Sequence, residues 1–308
     1  LSLKTVLANS VNANNKNGGN LFGRKGEAGS PLGKEARMGA ETVTVIGGAG
    51  FLGRELVNQL LSRGFKVAVA DIHPSLKSNR LPSSLTHHAE AFASRQLSLA
   101  YVDVTKAETF VNIPQDTKKL AHLAAYFRFW PVDEQKSCAV NIEGTRNVLD
   151  FCLKHEGIDT VLYYSSIEAV GSQQKRSGPP GAKEYERPYR GELKGCPYKM
   201  TKTIAHYLAE EYAPAFQANN KKIIIHAPPT PFGPGMENVP TGVLMTKHKG
   251  LIRFICPNTV LSCADIGDIA RDSVLLLTEN GRVKNGMTYV TVGFHASILE
   301  ILKTKEKF

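Results

Sequence analysis

TVTVIGGAGFLGRELVNQLLSRGFKVAVAD, residues 42–71, carries a strand, a glycine turn, a helix and a second strand in one uninterrupted run. Thr42 to Ile46 are β-branched throughout, the composition of a strand buried on both faces. Gly47, Gly50 and Gly53 follow at once, and Glu55 to Arg63 then shows helical spacing of Leu56, Leu60 and Leu61. Gly64 ends that helix, and Lys66 to Ala70 reads as the second strand with Asp71 at its carboxyl end. The three glycines serve different ends: a tight turn at Gly47, close backbone approach to a pyrophosphate at Gly50, and close helix–strand packing at Gly53. Phosphates placed there meet unpaired N–H groups and the positive end of a helix dipole. Asp71 stands 18 residues beyond Gly53, where a carboxylate accepts hydrogen bonds from a ribose 2′-OH. Strand, turn, helix and acid together specify a dinucleotide site far better than the glycines alone.

The rest of the composition fits a soluble core of useful size. Hydrophobic residues make up 42% of the 308, and no apolar run approaches the length of a membrane-spanning helix. The formal charge of +10 raises nucleic acid or an acidic surface as partners. Its lysines and arginines form no stripe, which disfavours nucleic acid. Five cysteines, an odd number without a C-x-x-C pair, indicate neither zinc site nor disulfide framework and favour a reducing compartment.

Residues 1–40 differ from everything after them: rich in Asn, Gly, Ala and Ser, without sustained period, and carrying six Lys or Arg against two Glu. The chain opens on Leu1, and a basic, acid-poor leader has the composition of an organellar transit segment. An arm of this kind cannot bury enough surface to fold alone. The expectation is an irregular basic arm that docks the domain onto a larger assembly or a second copy, with Leu21-Phe22 as apolar anchor. A mitochondrial setting is favoured over a plastid, with the cytoplasm as the alternative.

From residue 41 onward, strands are expected at Leu97–Val102, Leu120–Ala125, Thr160–Ser165 and Lys222–His226. Ile72–Gln96 reads as irregular, and helices are expected over Val132–His155, Cys196–Tyr212 and Leu261–Thr278. Pro228–Gly235 reads as a turn-rich loop, and 171–195 as a loop long enough for a lid. Strands and helices alternating at this spacing predict an α/β fold, a doubly wound parallel sheet with right-handed crossovers.

Two features downstream supply a reaction centre. Ser165-Ser166 lie at the carboxyl end of the fifth strand, the side on which open α/β sheets bind ligands. Tyr198-Lys-Met-Thr-Lys202 puts a phenol and an ammonium on one helix face. A free phenol ionises near pH 10, too high for neutral acid–base work. A neighbouring ammonium and an oxidised nicotinamide are expected to lower that value. Phe127, Phe129 and Trp130 read equally as a substrate wall or a packed loop anchor, and His206 reads as a structural helix residue.

The segments GGAGFLG, Asp71, Asp103-Val104, HLAA (122–125), NIEGT (141–145), YYSSIEAVG (163–171) and YKMTK (198–202) carry a resemblance. From about Glu41 the chain resembles an extended short-chain dehydrogenase/reductase of the NAD-dependent epimerase/dehydratase type. AAYFRFWP, NIEGTRNV, PPTPFGPG and PTGVLM are similar to dihydroflavonol-reductase-like enzymes and hopanoid-associated sugar epimerases. The SSIE tetrad is similar to 3β-hydroxysteroid dehydrogenases. The resemblance implies Ser166, Tyr198 and Lys202 as the catalytic set, with Lys202 also reaching the nicotinamide ribose. It implies Gly47, Gly50, Phe51, Leu52 and Gly53 at the pyrophosphate, Asp71 with Ile72 at the adenosine ribose, and Asp103 with Val104 at the adenine. Ala124, Ala125, Pro228 and Thr230 would flank the nicotinamide, and no metal is implied. A small, interrupted carboxyl-terminal substrate lobe, mainly from about 172–197 and 229–308, would complete a Rossmann domain over 41–308. The chain departs from the pattern at His226-Ala227-Pro228, where Arg-Pro or Asn-Pro is usual. Asp71-Ile72 also replaces the arginine of NADP-preferring relatives, so NAD is favoured over NADP. Two functions are therefore expected. One is an NAD-dependent oxidoreductase or epimerase/dehydratase acting on a nucleotide sugar, sterol or flavonoid-like alcohol. The other is an accessory subunit of a respiratory or photosynthetic complex that keeps the fold.

Overall fold

The computed structural model describes residues 41–128, 133–170, 195–236, 258–279 and 281–305. The arm (1–40), Phe129, Trp130 and the 171–194 loop lie outside the described residues. β1 (Thr42–Ile46) leads through α1 (Phe51–Ser62) into β2 (Lys66–Asp71). The helix begins four residues before the expected Glu55. Gly53 therefore sits inside its first turn, and the apolar periodicity starts only where the helix meets the sheet. The segment expected to be irregular holds short helices, α2 (Pro74–Lys77), a 3₁₀ turn (Ser83–His88) and α3 (Ala89–Ala93), before β3 (Leu97–Tyr101). Pro74 at the first helical position and the His73 side chain as cap start α2.

β4 runs from Thr117 to His122, three residues earlier than Leu120–Ala125. Lys119 hid this strand from a hydrophobic reading, because its ammonium is buried and paired with Glu41 at 3.1 Å. The single long helix expected over Val132–His155 is α4 (Glu134–Cys138), a π-helical turn (Ala139–Glu143) and α5 (Gly144–Lys154). β5 (Thr160–Tyr164) and α6 (Pro197–Ala218) follow. Helix α6 continues past Tyr212 through Pro214 to a cap at Asn219. Next come β6 (Lys222–His226), β7 (Thr230–Phe232), β8 (Val260–Asp265) and α7 (Ile266–Thr278). The helix expected from Leu261 thus starts only at Ile266. Asp265 caps it by accepting from the Gly267 N–H, and the residues before it pair as a strand. β9 (Thr288–Tyr289), β10 (Phe294–Ser297) and α8 (Ile298–Lys305) close the described chain.

The main sheet has seven strands in the order β3-β2-β1-β4-β5-β6-β9, all parallel. Alternate residues of β1 serve opposite layers. Val43 and Val45 pack with Leu56 and Leu60 of α1 and Ile269 and Val274 of α7. Ile46 packs on the other side with Val148 and Leu149 of α5 and Ala205 and Phe216 of α6. α7 and β9 bury apolar residues against this sheet. The small lobe has its own three-stranded sheet, β10-β8-β7. The chain order reverses between β1 and β4, opening a crevice at their carboxyl ends.

Candidate active site

Packing demands glycine at two of the three positions in the turn after β1. Gly47 has φ +84°, and a Cβ there would sit 2.8 Å from the Ala124 nitrogen; a Cβ on Gly53 would sit 2.1 Å from the Gly47 carbonyl oxygen. Gly50 is different. Its backbone is extended (φ −75°), and a Cβ would meet only the Gly47 carbonyl, at 3.1 Å. It caps α1 without any side-chain hydrogen bond, so the first-turn N–H groups around Phe51 and Leu52 face outward at the positive end of a 12-residue helix. Gly50 is thus the least constrained of the three by the protein's own packing. A pyrophosphate fits that cradle.

Asp71 ends β2 beside this turn. One carboxylate oxygen accepts from Ala49 N (3.0 Å) and the other from His73 N (3.1 Å), fixing it against the glycine loop. Burial pushes its pKa up, and those backbone donors pull the other way. Each oxygen keeps a lone pair for a ribose hydroxyl. Ile72, 60% exposed, stands next to it as an apolar cover. Asp103, just past β3, accepts from the Thr105 N–H (3.0 Å) and hydroxyl (2.7 Å). Val104 is buried against Gly144, so its side chain serves packing. The adenosine-side candidates thus gather on β1–β3 and the others on β4–β6.

Ser166 follows β5 and caps the 3₁₀ turn Ile167–Ala169, its Oγ accepting from Glu168 N at 3.2 Å. The Pro228 carbonyl accepts from Ile167 N (3.0 Å), tying this turn to the end of β6. The Ser166 hydroxyl lies near enough to the Tyr198 phenol to favour its ionised form. Tyr198 sits in the first turn of α6, its ring 4.5 Å from that of Phe127. Lys202, one turn on, is buried; its Nζ donates to the Tyr164 carbonyl at 2.6 Å and lies 4.9 Å over the Tyr163 ring. Ala124 and Ala125 follow β4, and Pro228 and Thr230 follow β6, on either side of the β5 tip.

The expected lowering of the phenol pKa by Lys202 is not found. Burial pushes Tyr198 up to about 12; the nearby Ser166 hydroxyl lowers it, and Glu168 and Cys196 raise it. Burial likewise pushes Lys202 down to about 7. Desolvation favours the neutral form of both groups, and the lysine spends its nearest contact on a carbonyl.

Three participants were not singled out for the site by their spacing. Asn141 lies in the π-turn, where its carboxamide accepts from Tyr126 N (2.7 Å) and donates to the Tyr126 carbonyl (3.0 Å) and Thr201 Oγ1 (3.0 Å). It thereby holds the loop carrying Phe127 against α6. His206 and His226 are fully buried beneath the β5 tip. A histidine within an apolar stretch was the available signal, but sequence alone cannot say which strand it faces. Among the described residues there is no cluster of three or more metal-ligating side chains, and no helix is long and apolar enough to cross a membrane.

The glycine turn, the Asp71 carboxylate and Ser166 all lie at the carboxyl ends of the parallel strands, with Tyr198 and Lys202 on α6. The family model for the 3-beta hydroxysteroid dehydrogenase/isomerase family matches residues 44–279. The chain belongs to that family. Within this family of extended short-chain dehydrogenase/reductases, it is 29% identical over 239 residues to a Synechocystis protein named "Putative dihydroflavonol 4-reductase". That match covers 77% of this chain and 63% of the relative, so the chain spans less than two thirds of that relative's length. Two solved structures share the fold. Thermus thermophilus UDP-glucose 4-epimerase, complexed with NAD, is 19% identical with a TM-score of 0.65, covering 86% of this chain and 82% of its own. Yeast methylglyoxal/isovaleraldehyde reductase, complexed with NADPH, is 18% identical with a TM-score of 0.68, covering 84% and 80%. The relative and the two structures are named as reductases and an epimerase.

Proposed function

We propose that this family member is an NAD-dependent oxidoreductase or epimerase acting on a hydroxyl-bearing ring substrate, a sterol or flavonoid-like alcohol in preference to a nucleotide sugar. The observation that carries this reading is the placement of Ser166 at the β5 tip, Tyr198 in the first turn of α6 and Lys202 buried one turn on, its Nζ donating to the Tyr164 carbonyl. A bound nicotinamide supplies the hydride acceptor or donor. Gly47, Gly50, Phe51, Leu52 and Gly53 hold its pyrophosphate, Asp71 its adenosine ribose and Lys202 its nicotinamide ribose. Ser166, fixed by Glu168 N, holds the substrate oxygen in line with Tyr198. A phenol pushed to about 12 is protonated at neutral pH and so has a proton to give to a carbonyl oxygen. For the reverse direction it must be lowered, a shift that a positively charged nicotinamide ring would supply. The Phe127 ring against Tyr198 gives the reacting oxygen an apolar neighbour, which favours a flat, weakly polar ring over a sugar.

Asp71 supports NAD over NADP: a carboxylate held by two backbone donors cannot turn away from a 2′-phosphate and repels it. NADH should bind at least about tenfold more tightly than NADPH in a fluorescence titration. Equal or reversed affinity removes the assignment. Screening sterols, flavonoid-like alcohols and nucleotide sugars with the preferred cofactor then tests the substrate class. The reading as an accessory subunit rests on residues 1–40, outside the described residues, and draws no support from relatives named as reductases or epimerases.

A further inference from the structure

Lys202 is buried, and among the described residues no carboxylate pairs with it. In an apolar interior an ammonium either loses its proton or finds groups that stand in for an anion. Two such groups are present, and consecutive residues of β5 supply them. The Tyr164 carbonyl accepts from Nζ at 2.6 Å, and Nζ stands over the ring of Tyr163, 4.9 Å from its centroid. The face of an aromatic ring carries the negative part of its quadrupole, and a cation within about 6 Å of the centroid is attracted to it. The attraction is strongest away from water, and Tyr163 is itself buried. The sheet fixes the ring in this place. Tyr163 pairs in register with His122 of β4 and Ile225 of β6, so all three side chains point to the layer of α5 and α6. There the ring packs in one cluster with Ala205 and Leu208, on the turns of α6 that follow Lys202, and the His122 ring stands 5.8 Å away.

We propose that Tyr163 is a positioning residue for Lys202: its ring face, together with the Tyr164 carbonyl, holds the buried Nζ in place as an ammonium. The consequence for chemistry rests on the reading of Lys202 as the group that serves Tyr198 and the nicotinamide ribose, and the test separates the two. The titratable groups around Lys202 are His122 on β4, Tyr163 on β5 and Tyr198 on its own helix. Burial, with Lys202 adding to it, pushes His122 down to about 3, so the imidazole is neutral wherever the lysine titrates. Burial pushes the Tyr163 phenol up, out of that range, and Tyr198 up to about 12. None of these neighbours changes charge near the lysine's own midpoint of about 7. The ring face is thus the partner of Nζ that a side-chain exchange can weaken while the Tyr164 carbonyl stays where the strand holds it.

The experiment incorporates lysine isotopically labelled at Cε and follows, through a pH titration without cofactor or substrate, the resonance that is absent from Lys202→Met. The wild-type midpoint should fall at about 7. Tyr163→Phe keeps the ring face and should titrate close to the wild type. With it as the reference, phenylalanines bearing one, two and three ring fluorines at position 163 should lower the midpoint stepwise, because fluorine drains the ring face and barely alters its shape. Tyr163→Leu should lower it by about one pH unit, tenfold in the acid dissociation constant. A midpoint that ignores fluorination, or that is unchanged in Tyr163→Leu, reduces Tyr163 to a packing residue and overturns the proposal. A wild-type midpoint at the ordinary 10.5 overturns it too, since the lysine would then be solvated. Should Tyr163→Leu fail to fold, the fluorinated series decides alone. A stepwise shift in a protein that binds no dinucleotide keeps the role of Tyr163 and removes the proposed function instead.

Discussion

Tyr198 and Lys202 share a helix face, yet burial acts on them in opposite senses: the phenol is pushed up to about 12 and the ammonium down to about 7. Both neutral forms gain, and the pair does not behave as a preformed phenolate–ammonium couple. The division of labour follows from contacts. Tyr198 packs against the Phe127 ring, whereas Lys202 donates to the Tyr164 carbonyl. Tyr198→Phe should therefore cut kcat by about 10²–10⁴-fold, the usual contribution of general acid–base catalysis, and leave cofactor Kd within about twofold. Lys202→Met should damage both. Steady-state kinetics paired with cofactor titration make the check, and a Tyr198→Phe protein at near-normal rate sinks the mechanism for any substrate.

In the strand–turn–helix element, the three glycines separate by what limits them. A Cβ on Gly53 collides with the Gly47 carbonyl at 2.1 Å, inside a helix that buries Leu56 and Leu60 against β1. Neither backbone can retreat without unpacking that layer. Gly53→Ala should lose several kcal/mol of stability. Gly50→Ala has only a 3.1 Å contact to relieve, so it should fold with a small drop in melting temperature. It should nevertheless weaken dinucleotide binding by about tenfold or more, because the methyl group occupies the pyrophosphate's approach. Thermal melts and cofactor titrations on the two variants make the comparison. Equal effects on stability and binding in both would refute the assignment of Gly50 to the ligand and Gly53 to the fold.

For the molecule as a whole, stability depends on what Lys202 does on folding. The folded protein binds the lysine proton with a pKa of about 7, against 10.5 for an ordinary lysine. Between those values the unfolded chain holds more protons than the native one, so stability rises with pH across that window. The cost of burying Lys202 is fullest below about pH 7 and fades as pH approaches 10.5. Urea unfolding midpoints at about pH 7 and about pH 9 should show the wild type gaining stability with pH. Lys202→Met should flatten that rise. A Lys202→Met profile parallel to the wild type would mean that the lysine is solvated in solution.

Residues 42–71 and the later alternation of strands with helices were sufficient to specify the Rossmann sheet, because a buried parallel strand needs a continuous apolar run and a phosphate cradle needs glycine. The Ser166, Tyr198 and Lys202 positions were legible for a similar reason: a strand end and an i, i+4 spacing are local properties. Boundaries were less legible wherever a distant partner overrode local composition. Lys119 lies in β4 because Glu41 neutralises it, and 260–265 forms a strand because β7 and β10 offer edges to pair with. Which partners His206, His226, Asn141 and Phe127 engage was decided by tertiary structure. Each acts across sequence separations that no periodicity encodes, with 41 residues between Ser165 and His206 and 82 between His206 and Thr288. The electrostatics were decided there too. Spacing puts an ammonium near a phenol, but only the depth at which the sheet and α6 bury them determines that desolvation outweighs their mutual attraction.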